Sequence, residues 1–249
     1  VILALLGALC RRARRLPPRD PRQCRYLTLA SLRWVLRCRA YTPWYLVRYV
    51  RLARLRLGKP QITTRGMVFL GKRLDLHARP WYGRLVLGRW VHLGDGNCLR
   101  AHEGTFTVGD KSVFGKDNVV NCYLDIELGP ATLLADWVYI CDFDHVFSDI
   151  HSPIKDQGIT KRPVRCKGDT WFGTKVTVLS GVEIGWGCVI AANAVVNRDI
   201  PDWSVAVGVP ARVIRNRHDD YEASAQQRTD LADIARKTAE AARQGTLTT

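Results

Sequence analysis

The side chains best suited to chemistry in this 249-residue sequence lie in 141–165, CDFDHVFSDIHSPIKDQGITKRPVR. Histidine titrates near neutrality, so His145 and His151 are of a type that can take a proton from a hydroxyl or ligate a metal. Asp142, Asp144 and Asp149 stand close enough in sequence to orient His145. A metal reading enlists His102 as a third histidine, but 145 and 151 are six apart and no zinc-type Cys/His spacing accompanies them. No metal is expected, and His151 reads as a surface residue. The eight cysteines (10, 24, 38, 98, 122, 141, 166 and 188) contain no C-x-x-C pair. Cys98, Cys122, Cys166 and Cys188 sit in apolar runs and read as buried thiols in a reducing compartment. The glycine-rich stretches lack G-x-x-x-x-G-K-[ST] and are not phosphate loops.

What positions these residues is a repeat. Cys166, Phe172, Val178, Ile184, Ile190 and Val196 are each six apart, and Gly173 and Gly185 follow two of them. Val108, Phe114, Val120 and Ile126 form a second such series, Leu128, Leu134 and Ile140 a third, and Leu87, Leu93 and Leu99 a fourth. A helix would repeat apolar residues at about 3.6 and would avoid the glycines. A six-residue period means three short faces per coil of about 18 residues, a left-handed parallel β-helix in which one aliphatic side chain per hexad fills a narrow prism. The polar stretch after Ile140 interrupts the repeat as an inserted loop over 141–163. Insertions of this kind project onto the binding face, so the chemistry belongs there.

The order D-H-x-F-x-D (144–149), P-I-x-x-Q-G (153–158), W-x-G (171–173) and G-V-P-A-R-V-I (208–214) is more specific than the repeat. With VVNCYLDI at 119–126, it resembles the hexapeptide-repeat acyltransferases, and among them sugar O-acetyltransferases of the galactoside, maltose and capsular-polysaccharide type. That resemblance implies a homotrimer with active sites in clefts between subunits, and acetyl-CoA as acyl donor. It makes His145 the base that removes a proton from an acceptor hydroxyl. Asn121 matches an asparagine that contacts the acceptor sugar, and Asp144 and Asp149 join it as expected acceptor contacts. Trp171 matches a wall of the donor cleft. Backbone groups at Gly173, Ala192 and Ala194 correspond to those holding the pantetheine arm. Arg198 stands where a lysine often meets the nucleotide phosphates, and Arg212 matches a basic residue nearby. Asn197 and the Ala191-Ala192-Asn193 turn depart from the usual pattern.

Residues 1–60 carry 15 basic side chains and one acidic, and the remaining 189 carry 23 and 22. The balanced body gives no support to a nucleic-acid partner. Three regions follow: a basic helical segment over 1–60, a β-helix over 61–216, and a mainly exposed helix and tail over 217–249. Helices are expected at Leu27–Arg39 and Thr42–Leu57, the second with an apolar line of Leu46, Val50, Ala53 and Leu57 beside a line of Arg48, Arg51 and Arg54. The third helix is expected over Asp219–Gln244, ended by Gly245. The basic segment reads either as a cap that packs on the coil end and presents charge outward, or as a contact with an anionic membrane surface. Val1–Cys10 is too short to span a bilayer, and its arginines follow it, against a signal peptide. A cytoplasmic location is expected, peripheral at the inner face of the membrane if the contact forms. The 29 arginines against 9 lysines suggest an actinobacterial, high-GC source. The expected function is acetyl or short-acyl transfer to a hydroxyl of a carbohydrate, in an oligo- or polysaccharide. The alternatives are acylation of an amino sugar or small metabolite, or a non-catalytic β-helix that binds polyanions or a membrane surface.

Overall fold

The computed structural model of the chain describes residues 28–59 and 61–243. The Val1–Cys10 run, the proline-broken segment after it, Leu27 and Gly245 lie outside the described residues. Helix α1 (Leu29–Arg37) starts at Thr28, whose Oγ1 accepts the Ser31 amide at 3.1 Å. Helix α2 (Pro43–Gly58) places its proline in the first turn, where a missing N–H costs nothing. The body between Ile62 and Asn216 is a left-handed parallel β-helix with three faces. Face A runs from strand Ile62–Thr64 to Glu183–Trp186 and face C from Asp75–Ala78 to Val195–Val196. Face B runs from Val68–Leu70 to Ser204–Val207 and is closed by the antiparallel strand Arg212–Asn216. Helix α3 (Arg217–Arg243) follows, tied back by Arg217 Nη1, which donates to the Gly187 carbonyl at 2.6 Å.

Every member of the four six-residue series is buried in one continuous core column. The steps from face A to B and from B to C stay at six on successive coils, as in Leu87–Leu93–Leu99 and Cys166–Phe172–Val178. The corner from C back to A absorbs all surplus length. Leu99 is followed on face A by Val108, Val120 by Leu128, and Ile140 by Cys166. A uniform 18-residue coil therefore holds only near the C-terminal end, where Cys166 pairs with Ile184 and Val178 with Val196. A corner facing solvent tolerates extra residues because the strands beneath keep their register. Gly104 turns that corner at φ +60°, where a Cβ would come within 1.8 Å of the Leu124 carbonyl oxygen.

Two buried polar devices lock the coils together. At the B–C corner Asn97 donates to the carbonyls of Gly94 and Gly115, each at 2.8 Å, and accepts from the Asn118 side chain at 2.9 Å. Asn118 in turn accepts the Val138 amide at 2.8 Å, so three coils share one ladder. At the C–A corner the fully buried Asp142 carboxylate accepts the amides of Tyr123 (2.7 Å), Leu124 (2.7 Å) and Asp125 (2.8 Å) from the coil below. Its own carbonyl takes the Arg162 amide at 2.9 Å, closing the base of the inserted loop.

Three expectations need correction. Cys98 faces outward and is half-buried, its thiol 3.6 Å from the Asp75 carboxylate, because face C exposes alternate residues. Asp142 does not orient His145; its oxygens are spent on backbone amides. The cap also does not simply turn charge outward. Helix α2 packs through buried Leu52, half-buried Leu55 and Tyr45, with Tyr45 5.7 Å from Phe69, while the Leu46–Val50–Ala53–Leu57 line faces solvent.

Asn118→Ala strands the Val138 amide in the core and takes from the Asn97 Oδ1 its side-chain donor, leaving it only the residue 118 amide at 3.2 Å. It is expected to cost about 2–4 kcal/mol in denaturant unfolding. Asp142→Ala orphans three amides beneath the loop. It is expected to cost about 3–5 kcal/mol and to speed hydrogen exchange at Tyr123–Asp125 more than at face B.

Candidate active site

The inserted loop leaves face C at strand Tyr139–Cys141 and rises as a hairpin, Phe143–His145 against Ile159–Lys161, with His145 opposite Ile159. His145 is exposed at the hairpin's far end, its ring edge-on to Phe143 at 6.1 Å. Beyond it the loop folds on itself. Gln157 Nε2 donates to the carbonyls of Asp149 (2.7 Å) and Ser152 (2.8 Å), and its Oε1 accepts the Asp149 amide at 3.0 Å. The Asp149 carboxylate accepts from Ser152 Oγ (2.6 Å) and the His151 amide (2.8 Å), and these bonds hold its carboxyl below the usual carboxylate range. Asp144 takes the Ser180 hydroxyl and the Arg162 guanidinium, the latter at 3.2 Å, which fastens the hairpin to the next coil. The three aspartates therefore have three separate tasks, and none bonds to the His145 ring. Asp149 shapes the loop and Asp144 anchors it.

Asn121 lies on face C one coil below Cys141, beside the Tyr139 hydroxyl, with its Oδ1 buried and without a hydrogen-bond partner. A buried amide oxygen left unpaired is uncommon. His102, Tyr123 and Phe143 stack up the C–A corner, with centroids 4.7 and 4.6 Å apart, and lead to His145. Lys161 at the hairpin base pairs with Glu103, holding that carboxyl below its ordinary range. Sequence reasoning missed Arg162, Ser180, Lys161 and this aromatic ladder. Gln157 stood within a recognised motif, but its role was not legible before the fold was seen.

The expected donor residues lie elsewhere on the prism. Trp171 is exposed on face B, while Gly173, Ala192 and the buried Ala194 form the B–C corner. Gly173 sits so close to the next coil that a Cβ would meet the Ala192 amide nitrogen at 2.5 Å. Arg198 is exposed at the C–A corner of the last coil, and Arg212 lies on the strand closing face B, opposite Val207. Within one chain, face C thus separates His145 from the Trp171–Ala192 group.

Neither thiol near the loop is a nucleophile. Burial pushes the Cys141 thiol up, and burial with the Asp142 charge pushes Cys122 far up, so both stay protonated. His102 stacks on Tyr123 and His151 lies on the loop's exposed turn. Among the described residues no three His, Cys, Asp or Glu side chains are grouped to hold a metal ion.

Residues 163–198 match the model of the bacterial transferase hexapeptide (six repeats). The chain is 61% identical over 225 residues to a probable acetyltransferase of Mycobacterium tuberculosis, covering 89% of this chain and 75% of that protein. It is 36% identical over 117 residues to an Escherichia coli protein named for lipopolysaccharide-biosynthesis O-acetyl transfer, covering 41% of this chain and 60% of that one. Among solved structures, an N-acyltransferase from Bacillus cereus, in complex with dTDP and coenzyme A, superposes with a TM-score of 0.53. It is 17% identical and covers 71% of this chain and 96% of that one, a likeness of fold. With a hexad-filled prism, a loop bearing His145 and a relative this similar over most of both lengths, the chain belongs to the hexapeptide-repeat acetyltransferases.

Proposed function

We propose that the protein transfers an acetyl or other short acyl group from acyl-CoA to a hydroxyl of an oligo- or polysaccharide. The observation that carries this reading is His145, exposed at the end of a hairpin whose base is pinned by Asp142, Asp144 and Arg162. A sugar hydroxyl is too weak an acid to ionise near neutrality, so its proton must leave as the new C–O bond forms. The His145 imidazole takes that proton while the hydroxyl oxygen attacks the thioester carbonyl. The tetrahedral oxyanion collapses, the C–S bond breaks, and the imidazolium returns the proton to the CoA thiolate. Transfer is direct, which agrees with Cys122 and Cys141 being held as thiols.

Donor and acceptor meet between subunits in this reading. Trp171, Gly173, Ala192 and Ala194 offer a donor groove at one corner, with Arg198 and Arg212 as cations for the nucleotide phosphates. Asn121 and His145 serve the acceptor at another corner. A neighbouring prism in a trimer brings the two kinds of corner together. The carbohydrate acceptor is supported by the relative named for lipopolysaccharide O-acetyl transfer, and the CoA donor by the coenzyme A complex of the structural neighbour.

The test is release of free CoA thiol from acetyl-CoA with a panel of glucose- and mannose-containing saccharides. His145→Ala is expected to lower kcat on the order of 10²–10⁴-fold with the thermal midpoint unchanged. Full activity in that variant contradicts the mechanism. Light scattering is expected to give the mass of three chains, and a monomer contradicts the shared site.

A further inference from the structure

The N-terminal helices wear their apolar residues on the wrong side for a simple cap. Helix α1 has no buried residue and is anchored by Trp34, 4.4 Å from Trp90 and 6.1 Å from Phe69. Leu29, Leu32 and Leu36 lie on the side of the helix opposite Trp34, and all are exposed, Leu29 by 75%. Helix α2 repeats the arrangement. Leu52 is buried on one side, whereas Leu46, Val50 and Leu57 on the other are exposed, Leu57 by 81%.

Along the flank of that second stripe lies a basic cleft of about 510 Å³, where Arg51, Arg54 and Lys59 face Lys72 and Arg73 of the first coil across a floor of leucines. Arg51 Nη1 donates to the Leu70 carbonyl at 3.0 Å and Lys59 Nζ to the Leu76 carbonyl at 2.5 Å. These bonds fix two cations in the wall without neutralising them. Among the described residues none of the five forms an ion pair. The nearby Asp95 carboxylate takes the Lys72 amide at 2.7 Å and feels the charges of Lys72, Arg51 and Arg73, while Asp75, paired with Arg100, feels that of Lys59. These carboxylates offset part of the charge and leave the five-cation cleft basic.

We propose that this helical pair seats the protein on an anionic lipid bilayer, with the leucine stripes in the interfacial layer and lipid phosphates in the basic cleft. Charge decides the occupant. Residues 28–59 carry eight basic side chains and no acidic one, so a second copy of the same face would set like charge against like. A soluble polyanion would satisfy the cleft and leave both leucine stripes in water. An anionic bilayer satisfies both, and Trp44, half-exposed beneath the Arg48 guanidinium at 3.4 Å, is of the type that rests at such a boundary. The proposal is independent of the acyl-transfer reading.

The test is flotation of the full chain with vesicles of phosphatidylcholine alone or with phosphatidylglycerol. The chain is expected to float with the anionic vesicles and to be released by high salt. Arg54→Ala combined with Lys72→Ala is expected to lower partitioning roughly 10-fold or more. Leu32→Ser combined with Val50→Ser is expected to lower it comparably, with circular dichroism melts showing that both variants fold. Equal flotation with neutral vesicles, no flotation, or unchanged flotation of either variant overturns the proposal. So does a leucine-variant that changes the number of chains per particle and leaves flotation intact, since the face is then a contact between copies. Inorganic phosphate that protects the cleft from thermal unfolding while vesicles do not bind overturns it in favour of a free anion.

Discussion

Each coil of the prism must hand its backbone N–H and C=O groups to the next coil in register, and everything else in the molecule is arranged around that requirement. Six-residue steps at the A–B and B–C corners keep the inward side chains stacked, from Leu87, Leu93 and Leu99 to Ile184, Ile190 and Val196. A residue added at either corner would turn the following strand's apolar side chain out of the core. Only the C–A corner escapes, and it carries the variable lengths, the aromatic stack and the inserted hairpin. The location of the candidate site is thus a consequence of where the solenoid permits extra chain.

The fold was readable because its rule is local: one aliphatic residue every six positions, with glycine at tight bends. The loop was readable as an interruption of that rule, and His145 as its distinctive residue. What eluded the sequence is how the loop spends its polar side chains. Asp142, Asp144 and Asp149 look alike along the chain, yet one binds the amides of a coil 17 to 19 residues earlier, one binds Arg162 and Ser180, and one folds its own turn. Such differences depend on which residues the stacking places beside them. The same holds for α2, where periodicity gives two stripes without saying which one the first coil buries.

Pinning the hairpin at its base while leaving His145 at an exposed end suits the role proposed for it, a base that meets a substrate partly held by another subunit. Face C stands between His145 and the expected donor groove of the same chain, and the proposed mechanism therefore assembles each site from two chains of the proposed trimer. The most direct measurement is activity after co-expression of two separately inactive variants, His145→Ala and the donor-groove block Ala192→Trp. The co-expressed population is expected to recover up to roughly a quarter of native activity, because about three quarters of randomly assembled trimers are mixed and each mixed trimer pairs an intact base with an intact groove at one site in three. No recovery, with mixed trimers present and folded, contradicts a site shared between chains.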